Sequence, residues 1–140
     1  MAQKKLQGNS ALEACHKYSE QFKKAFRGRK DEIDMLTYAV LLKENILMRG
    51  EPGLAKTMLA RQFFGHIESG KLFSQQFTPF MDETNIFGPT DIEELKRGRV
   101  IHNTENSLLD CNFAILDEFY NASDELLTST NSVLNEKEFI

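Results

Sequence analysis

The segment from residue 50 to residue 57 has the glycines, lysine and hydroxyl of a phosphate-binding loop. Its residues are, in order, Gly50, Glu51, Pro52, Gly53, Leu54, Ala55, Lys56 and Thr57. They match the pattern G-x-x-x-x-G-K-[ST] except at residue 55, where the pattern has glycine. In such a loop the backbone amides, and those that open the following helix, point toward phosphate oxygens. We expect Lys56 to reach the β- and γ-phosphates of ATP and the Thr57 hydroxyl to bind Mg²⁺.

Alanine at residue 55 is the smallest replacement for glycine, and it is tolerable if φ there is negative. The alternative is a chance glycine-rich turn. The loop follows a predicted strand and opens a predicted helix, which is the context that a phosphate loop requires. This context favours nucleotide binding by residues 50–57.

The second motif is an acidic pair, Asp117-Glu118, which directly follows a predicted apolar strand. Ligands of open α/β sheets bind at the carboxyl ends of the strands, so this pair can face the phosphate loop. We expect Asp117 to bind Mg²⁺ through water and to contribute to nucleotide binding. Glu118 is the candidate base that polarises the attacking water, with Lys56 as the second catalytic residue. A solvated acidic turn is the alternative, and the phosphate loop weighs against it.

The elements that would position these motifs alternate between helix and strand. Apolar spacing predicts helices and short apolar runs predict buried strands. A last helix should begin after a cap at Asn121 or Ser123. We expect residues 1–10 to be loose. The alternation indicates an α/β fold with a mostly parallel sheet. The predicted helices are 10–26, 31–43, 57–64 and 92–96, and the predicted strands are 45–49, 74–78 and 113–116.

Composition limits the class of protein. The chain has 140 residues, which is the size of one domain, with a net charge of −4. This acidic balance argues against a nucleic-acid remodeller, although five basic residues cluster between residues 23 and 30. Cys15 and Cys111 are far apart, which indicates reduced thiols, and no signal peptide or membrane span is predicted. We therefore expect a cytoplasmic location. The five basic residues that cluster between residues 23 and 30 are Lys23, Lys24, Arg27, Arg29 and Lys30.

The combination of motifs resembles the AAA+ ATPases, and within them the MoxR group with its RavA-like branch. That group has a loop of the form G-x-P-G-x-A-K-[ST], so the alanine at 55 fits it. The segments 76–79, 87–89 and 92–96 resemble its region between the two Walker motifs. Leu116-Asp117-Glu118 is similar to its Walker B end, and 134–139 to a later turn. The resemblance covers about residues 26–140.

The resemblance implies a P-loop NTPase three-layer sandwich, with residues 1–25 as an N-terminal segment and 26–140 as a partial nucleotide-binding core. Walker A would be 50–57 and Walker B 113–118. The backbone at 27–29 would lie near adenine. It also implies ATP and Mg²⁺, a homo-hexamer that remodels proteins, and a partner of the von Willebrand A type. Thr130 departs from the apolar residue usual in the group, so we expect its helix to pack less well.

The group continues beyond the matched region with two more core strands, a sensor residue, an arginine finger and a helical lid. One of those strands would lie between strands 45–49 and 113–116. We therefore expect this chain to be a shortened piece of an ATPase, truncated before the last core strands, that binds nucleotide with little hydrolysis. The alternative is a non-catalytic binding module, or dominant-negative fragment, that docks onto full-length subunits.

Overall fold

The computed structural model describes residues 2–51 and 55–136, with side chains from Ser10 onward. The chain forms two compact units, residues 1–56 and 57–140. None of the described helices is long and apolar enough to cross a membrane.

The first unit is a pair of helices, α1 (Ala2–Ala25) and α2 (Lys30–Leu42). Residues 2–9 were expected to be loose and are helical, so this prediction was wrong. The segment contains no proline that would break the helix. Its one glycine, Gly8, lowers helix propensity without ending α1. The predicted second helix is confirmed within a residue at each end. It ends at Lys43, whose left-handed backbone (φ 57°) turns the chain and whose amide bonds to the Ala39 carbonyl.

The predicted strand at residues 45–49 is not formed in the structure, which assigns residues 44–51 to no helix or strand. A strand needs a neighbour to accept and donate its backbone hydrogen bonds. Among the described residues no strand pairs with this segment. Ile46 and Met48 are half-buried, whereas Leu47 is 66% exposed. Exposed and half-buried side chains thus alternate along the segment as they do in a strand, although no described strand is hydrogen-bonded to it.

The second unit contains a two-stranded parallel sheet. Strand β1 (Leu72–Gln76) pairs with β2 (Phe113–Asp117), in a register that runs from Leu72–Phe113 to Gln76–Asp117. The strand predicted at residues 113–116 is confirmed, whereas β1 begins two residues before the predicted strand. Pairing continues one residue further, because the Phe77 amide donates to the Asp117 carbonyl at 2.8 Å.

Four helices complete the part of this unit that the structure describes. The two short ones follow β1 and the last one follows β2. Ser123 caps the last helix through its hydroxyl, which accepts from the Leu126 amide at 3.3 Å, so Asn121 is not the cap. Single turns of 3-10 helix lie at Leu108–Asp110 and Phe119–Asn121. The helices are α3 (Lys56–Gly65), α4 (Glu83–Phe87), α5 (Ile92–Lys96) and α6 (Asp124–Glu136).

The core of the second unit lies between the sheet, α4 and α6. Phe77, Ile86, Phe87, Leu108 and Leu126 are its buried members, and Phe73 packs against them. Three of the four phenylalanines between residues 73 and 87 pack in this core, whereas Phe80 is 97% exposed.

An irregular hairpin connects α4 to the 3-10 turn before β2. Thr90 pairs with His102 in an antiparallel bridge, and the Asn103 amide donates to the Pro89 carbonyl at 2.8 Å. Gly88 opens the hairpin with φ 94°, and a Cβ there would lie 1.9 Å from the Asn103 carbonyl oxygen. The Phe-Gly-Pro segment at 87–89 therefore needs glycine both for its backbone and for the close approach of the second strand.

Candidate functional site

Thr57 and Asp117 lie 60 residues apart in sequence, and the structure brings their side chains into contact. The Thr57 hydroxyl donates to Asp117 Oδ2 at 2.9 Å, and both residues are half-buried. Thr57 lies in the first turn of α3, and Asp117 is the last residue of β2. The hydroxyl of the phosphate loop and the first carboxylate of the acidic pair therefore meet at one place.

The sheet register explains why Asp117 is at the edge of the sheet. It pairs with Gln76, the last residue of β1, so the two parallel strands end together. The chain turns away at Glu118, whose amide donates to Asp117 Oδ1 at 3.1 Å. Both carboxylate oxygens of Asp117 thus have a donor. A hydroxyl beside a carboxylate is a set of hard oxygen ligands, which fits Mg²⁺.

Glu118 has a left-handed backbone, with φ 52° and ψ 36°. This region is uncommon for a residue with a side chain, and such conformations cluster at functional sites. The side chain is exposed, and its Oε2 accepts from the Asn121 side-chain amide at 3.4 Å. The candidate base therefore extends into solvent from the carboxyl end of β2, next to Asp117.

Lys56 is described within the first unit, where it closes the loop that precedes it. Its ammonium donates to the Gly50 carbonyl at 2.8 Å and to the Glu51 carbonyl at 2.7 Å. An ammonium group has three donors and no acceptor, so loop carbonyls and phosphate oxygens are alternative partners for it. The described contacts place the lysine charge beside the carbonyls of residues 50 and 51.

Ala55 does not meet the condition of a negative φ under which alanine is easily tolerated. Its φ is 55°, in the left-handed region. For an L-residue with a Cβ this conformation costs about 1–2 kcal/mol. The general pattern has glycine here because glycine adopts that conformation without the penalty. Three other residues of the predicted loop, Pro52, Gly53 and Leu54, lie outside the described residues.

The segment expected near adenine borders a cavity of about 450 Å³ in the first unit. The charges around it are partly paired. Arg29 donates to Glu32 at 2.7 Å, and this bond holds the pKa of the Glu32 carboxyl below its usual value. Lys23 contacts Asp34 at 2.6 Å. Paired charges at a helix end agree with a solvated loop and weigh against a phosphate-backbone surface. The cavity is lined by Lys23, Arg27, Gly28, Lys30, Asp31 and Glu32.

The contact between Asn121 and Glu118 was missed by the sequence reasoning, which considered Asn121 only as a helix cap. The spacing of three residues was the available signal, since a 3-10 turn places residues i and i+3 on one side. That signal depends on knowing that a 3-10 turn follows the strand. No sequence pattern around 118–121 distinguishes it from the start of a helix.

Comparison with known proteins decides the family. Residues 13–140 match the model of a family described as the MoxR domain in the MoxR-vWA-beta-propeller ternary systems. The chain belongs to the MoxR group of AAA+ ATPases. It is also 30% identical over 117 residues to a protein of Mycobacterium tuberculosis named Chaperone MoxR1, covering 84% of this chain and 30% of that protein.

Two uncharacterized proteins of Methanocaldococcus jannaschii are similar to this MoxR chain as well. Each is 34% identical, one over 127 residues and 90% of the chain, the other over 122 residues and 86% of the chain. The matched regions are 33% and 32% of those proteins. The chain therefore spans about a third of the length of the curated relatives that it matches.

Proposed function

We propose that the intact protein binds ATP with Mg²⁺ and hydrolyses it to ADP and phosphate. The observation that carries this proposal is the 2.9 Å contact between the Thr57 hydroxyl and Asp117 Oδ2. Two motifs that are distant in sequence, each with a known role in nucleotide sites, supply adjacent oxygen ligands. A chance glycine-rich turn and an unrelated acidic turn would have no reason to meet.

Thr57 would bind Mg²⁺ directly, and Asp117 would hold it through a water molecule. When bound, Mg²⁺ neutralises negative charge on the phosphates. The hydroxyl would bind the ion through an oxygen lone pair, so its proton can still donate to Asp117. The loop residues 50–55, except Pro52, which has no amide hydrogen, would surround the phosphates with backbone amides. Lys56 would exchange its carbonyl partners for phosphate oxygens.

Glu118 would orient the attacking water. In the reaction the water oxygen bonds to the γ-phosphorus and the bond from that phosphorus to the β–γ bridging oxygen breaks. The proton of the water passes to the Glu118 carboxylate and then to solvent. Lys56 would stabilise negative charge on the transferred group. The exposed position of Glu118 beside Asp117 supports this role.

We also propose the larger fold that the two described strands would belong to. It is a three-layer sandwich with a mostly parallel sheet, formed by residues 26–140 and by segments of the longer protein, with residues 1–25 preceding it. Residues 45–49 would become a strand when a neighbour pairs with them. Their alternating exposure supports this proposal.

The proposed partners follow from the family. Its description names von Willebrand A and beta-propeller components, and one relative is named a chaperone. We propose a cytoplasmic homo-hexamer that remodels a protein substrate and acts with a von Willebrand A-type partner. A neighbouring subunit would supply the arginine that stabilises charge on the γ-phosphate.

A second candidate is a non-catalytic module that binds nucleotide and docks onto full-length subunits. In this case the 140-residue chain would bind ATP with little turnover. Mixed with the intact protein, it would lower the ATPase rate of the assembly.

The test is ATP turnover by the intact protein and by Glu118→Gln. We expect the substitution to lower kcat about 10²-fold or more, as loss of a general base does, and to leave ATP binding intact. Glu68→Gln is the matched control, since Glu68 is an exposed carboxylate in the turn after α3. Equal loss in both variants, or none in Glu118→Gln, would refute the assignment of Glu118. Binding without turnover in the unsubstituted protein would favour the second candidate.

A further inference from the structure

The turn after β2 fixes Glu118 more tightly than a solvated acidic turn would. The Asn121 amide donates to the Glu118 carbonyl at 2.8 Å, closing a 3-10 turn over Phe119–Asn121. The left-handed backbone of Glu118 makes this turn possible directly after the strand. Glu118 and Asn121 therefore lie on the same side of the turn, three residues apart.

Phe119 anchors this turn to the core. Its ring packs edge-on against Phe77, with centroids 5.3 Å apart, and it borders the buried cluster of the second unit. Phe77 in turn bonds to the end of β2 through its amide. The turn is thus held by the packing of Phe119 against Phe77, which is itself hydrogen-bonded to the end of β2.

The Asn121 side chain is not used to cap α6. Ser123 performs that role through its hydroxyl. The side-chain amide of Asn121 instead points to Glu118 Oε2, with a nitrogen-to-oxygen distance of 3.4 Å. This distance is long for a hydrogen bond, but hydrogen bonds of catalytic groups are often long without substrate and shorten in the complex.

We propose that Asn121 is a positioning residue that holds Oε2 of Glu118, so that Oε1 faces the attacking water. This inference rests on the proposed ATPase function. A side-chain amide suits the task because it donates a hydrogen bond without adding charge. A lysine or arginine here would pair with the carboxylate and compete with the water, and an aspartate would repel it.

The test uses Asn121→Asp and Asn121→Ala in the intact protein. Aspartate has nearly the same shape but replaces the donor by an acceptor of like charge. We expect each variant to lower kcat about tenfold or more, within the effect of misplacing a catalytic group, while KM and the Kd for ATP stay within about twofold. Asn131→Asp, on the exposed side of α6, is the matched control for the added charge and should leave kcat unchanged.

The decisive comparison places Asn121→Asp in the Glu118→Gln background. Because Asn121 acts through Glu118, the second substitution should lower kcat by less than about twofold there. A structural role would lower kcat by the same factor in both backgrounds and would also lower the thermal midpoint. Either of those results would overturn the inference.

The two proposals fail in different ways. If Glu118→Gln lowers kcat and Asn121→Asp does not, the ATPase assignment stands and the positioning role is wrong. If Glu118→Gln has no effect, Glu118 is not the base, and the role of Asn121 is refuted with it.

Discussion

Gly88 gives the sharpest prediction about stability, because a second glycine with a similar backbone serves as its control. Gly88 has φ 94° and Gly98 has φ 76°, so alanine is strained at both. At Gly88 the new Cβ would lie 1.9 Å from the Asn103 carbonyl oxygen, whereas at Gly98 nothing lies within 4 Å. The difference between the two variants in free energy of unfolding therefore measures the cost of the contact between the new Cβ and the hairpin backbone.

The magnitude follows from what must move. A carbon and an oxygen in contact lie about 3.3–3.6 Å apart, so the second strand of the hairpin must shift by more than 1 Å. Its bonds are Asn103 to Pro89 at 2.8 Å, Asp91 to Ile101 at 2.7 Å, and His102 Nδ1 to the Gly88 carbonyl at 2.9 Å. Losing three hydrogen bonds costs about 1.5–4.5 kcal/mol. The left-handed backbone adds about 1–2 kcal/mol.

We expect Gly88→Ala to lower the free energy of unfolding by about 2.5–6.5 kcal/mol, and Gly98→Ala by about 1–2 kcal/mol. Alanine also restricts the unfolded chain, which reduces both values by about 0.4–1 kcal/mol and leaves their difference unchanged. Urea denaturation followed by circular dichroism measures both. Equal losses for the two variants would refute the reasoning, since the backbone strain would then account for the whole effect.

Two further predictions concern buried and capping side chains. Thr130 is fully buried and its hydroxyl has no hydrogen-bond partner among the described residues, so Thr130→Val should raise the free energy of unfolding by about 1–3 kcal/mol. Thr128→Val is the control, because the Thr128 hydroxyl bonds to the Asp124 carbonyl at 2.8 Å, and a loss of stability in Thr130→Val would contradict the prediction. Asp82 caps α4, and its bond from the Thr84 hydroxyl lowers the pKa of the Asp82 carboxyl. The stabilisation is therefore present above the unfolded pKa of about 3.9 and is lost as the pH falls through the lower folded value. Denaturation midpoints measured across this range should fall more steeply for the unsubstituted chain than for Asp82→Asn, and parallel curves would contradict it.

The sequence predicts those elements whose determinants are local. The boundaries of α2 and the position of β2 follow from apolar spacing and from the polar residues at their ends. The short helix at 92–96 is capped by Asp91, whose carboxylate accepts from the Glu93 and Glu94 amides. In each case the residues that carry the sequence pattern lie within a few positions of the element that they predict.

The features that the sequence did not predict depend on residues that are distant in the chain. Residues 45–49 have the composition of a strand, but a strand requires a paired neighbour, which no local pattern can supply. Phe80 lies in a phenylalanine-rich stretch, but its exposure depends on where the chain turns after β1. The left-handed φ of Ala55 depends on the geometry of the whole loop.

The candidate site divides in the same way. The motif spacing predicted Lys56, Thr57, Asp117 and Glu118 as its members, because phosphate and magnesium chemistry restricts the residue types at those positions. The sequence did not predict the direct bond from Thr57 to Asp117 or the contact from Asn121 to Glu118. Both depend on how α3 and the turn after β2 are placed around the end of the sheet.

Mg²⁺-dependent binding of a fluorescent ATP analogue tests the central claim most directly. Beside the unsubstituted chain we would measure Lys56→Ala, with Lys17→Ala as a control that removes an exposed lysine from α1. We predict saturable, Mg²⁺-dependent binding by the unsubstituted chain and Lys17→Ala. Affinity should fall at least about tenfold in Lys56→Ala, as expected when hydrogen bonds from a charged donor are lost. Equal binding by Lys56→Ala, binding that is indifferent to Mg²⁺, or no binding by any of the three would contradict the account.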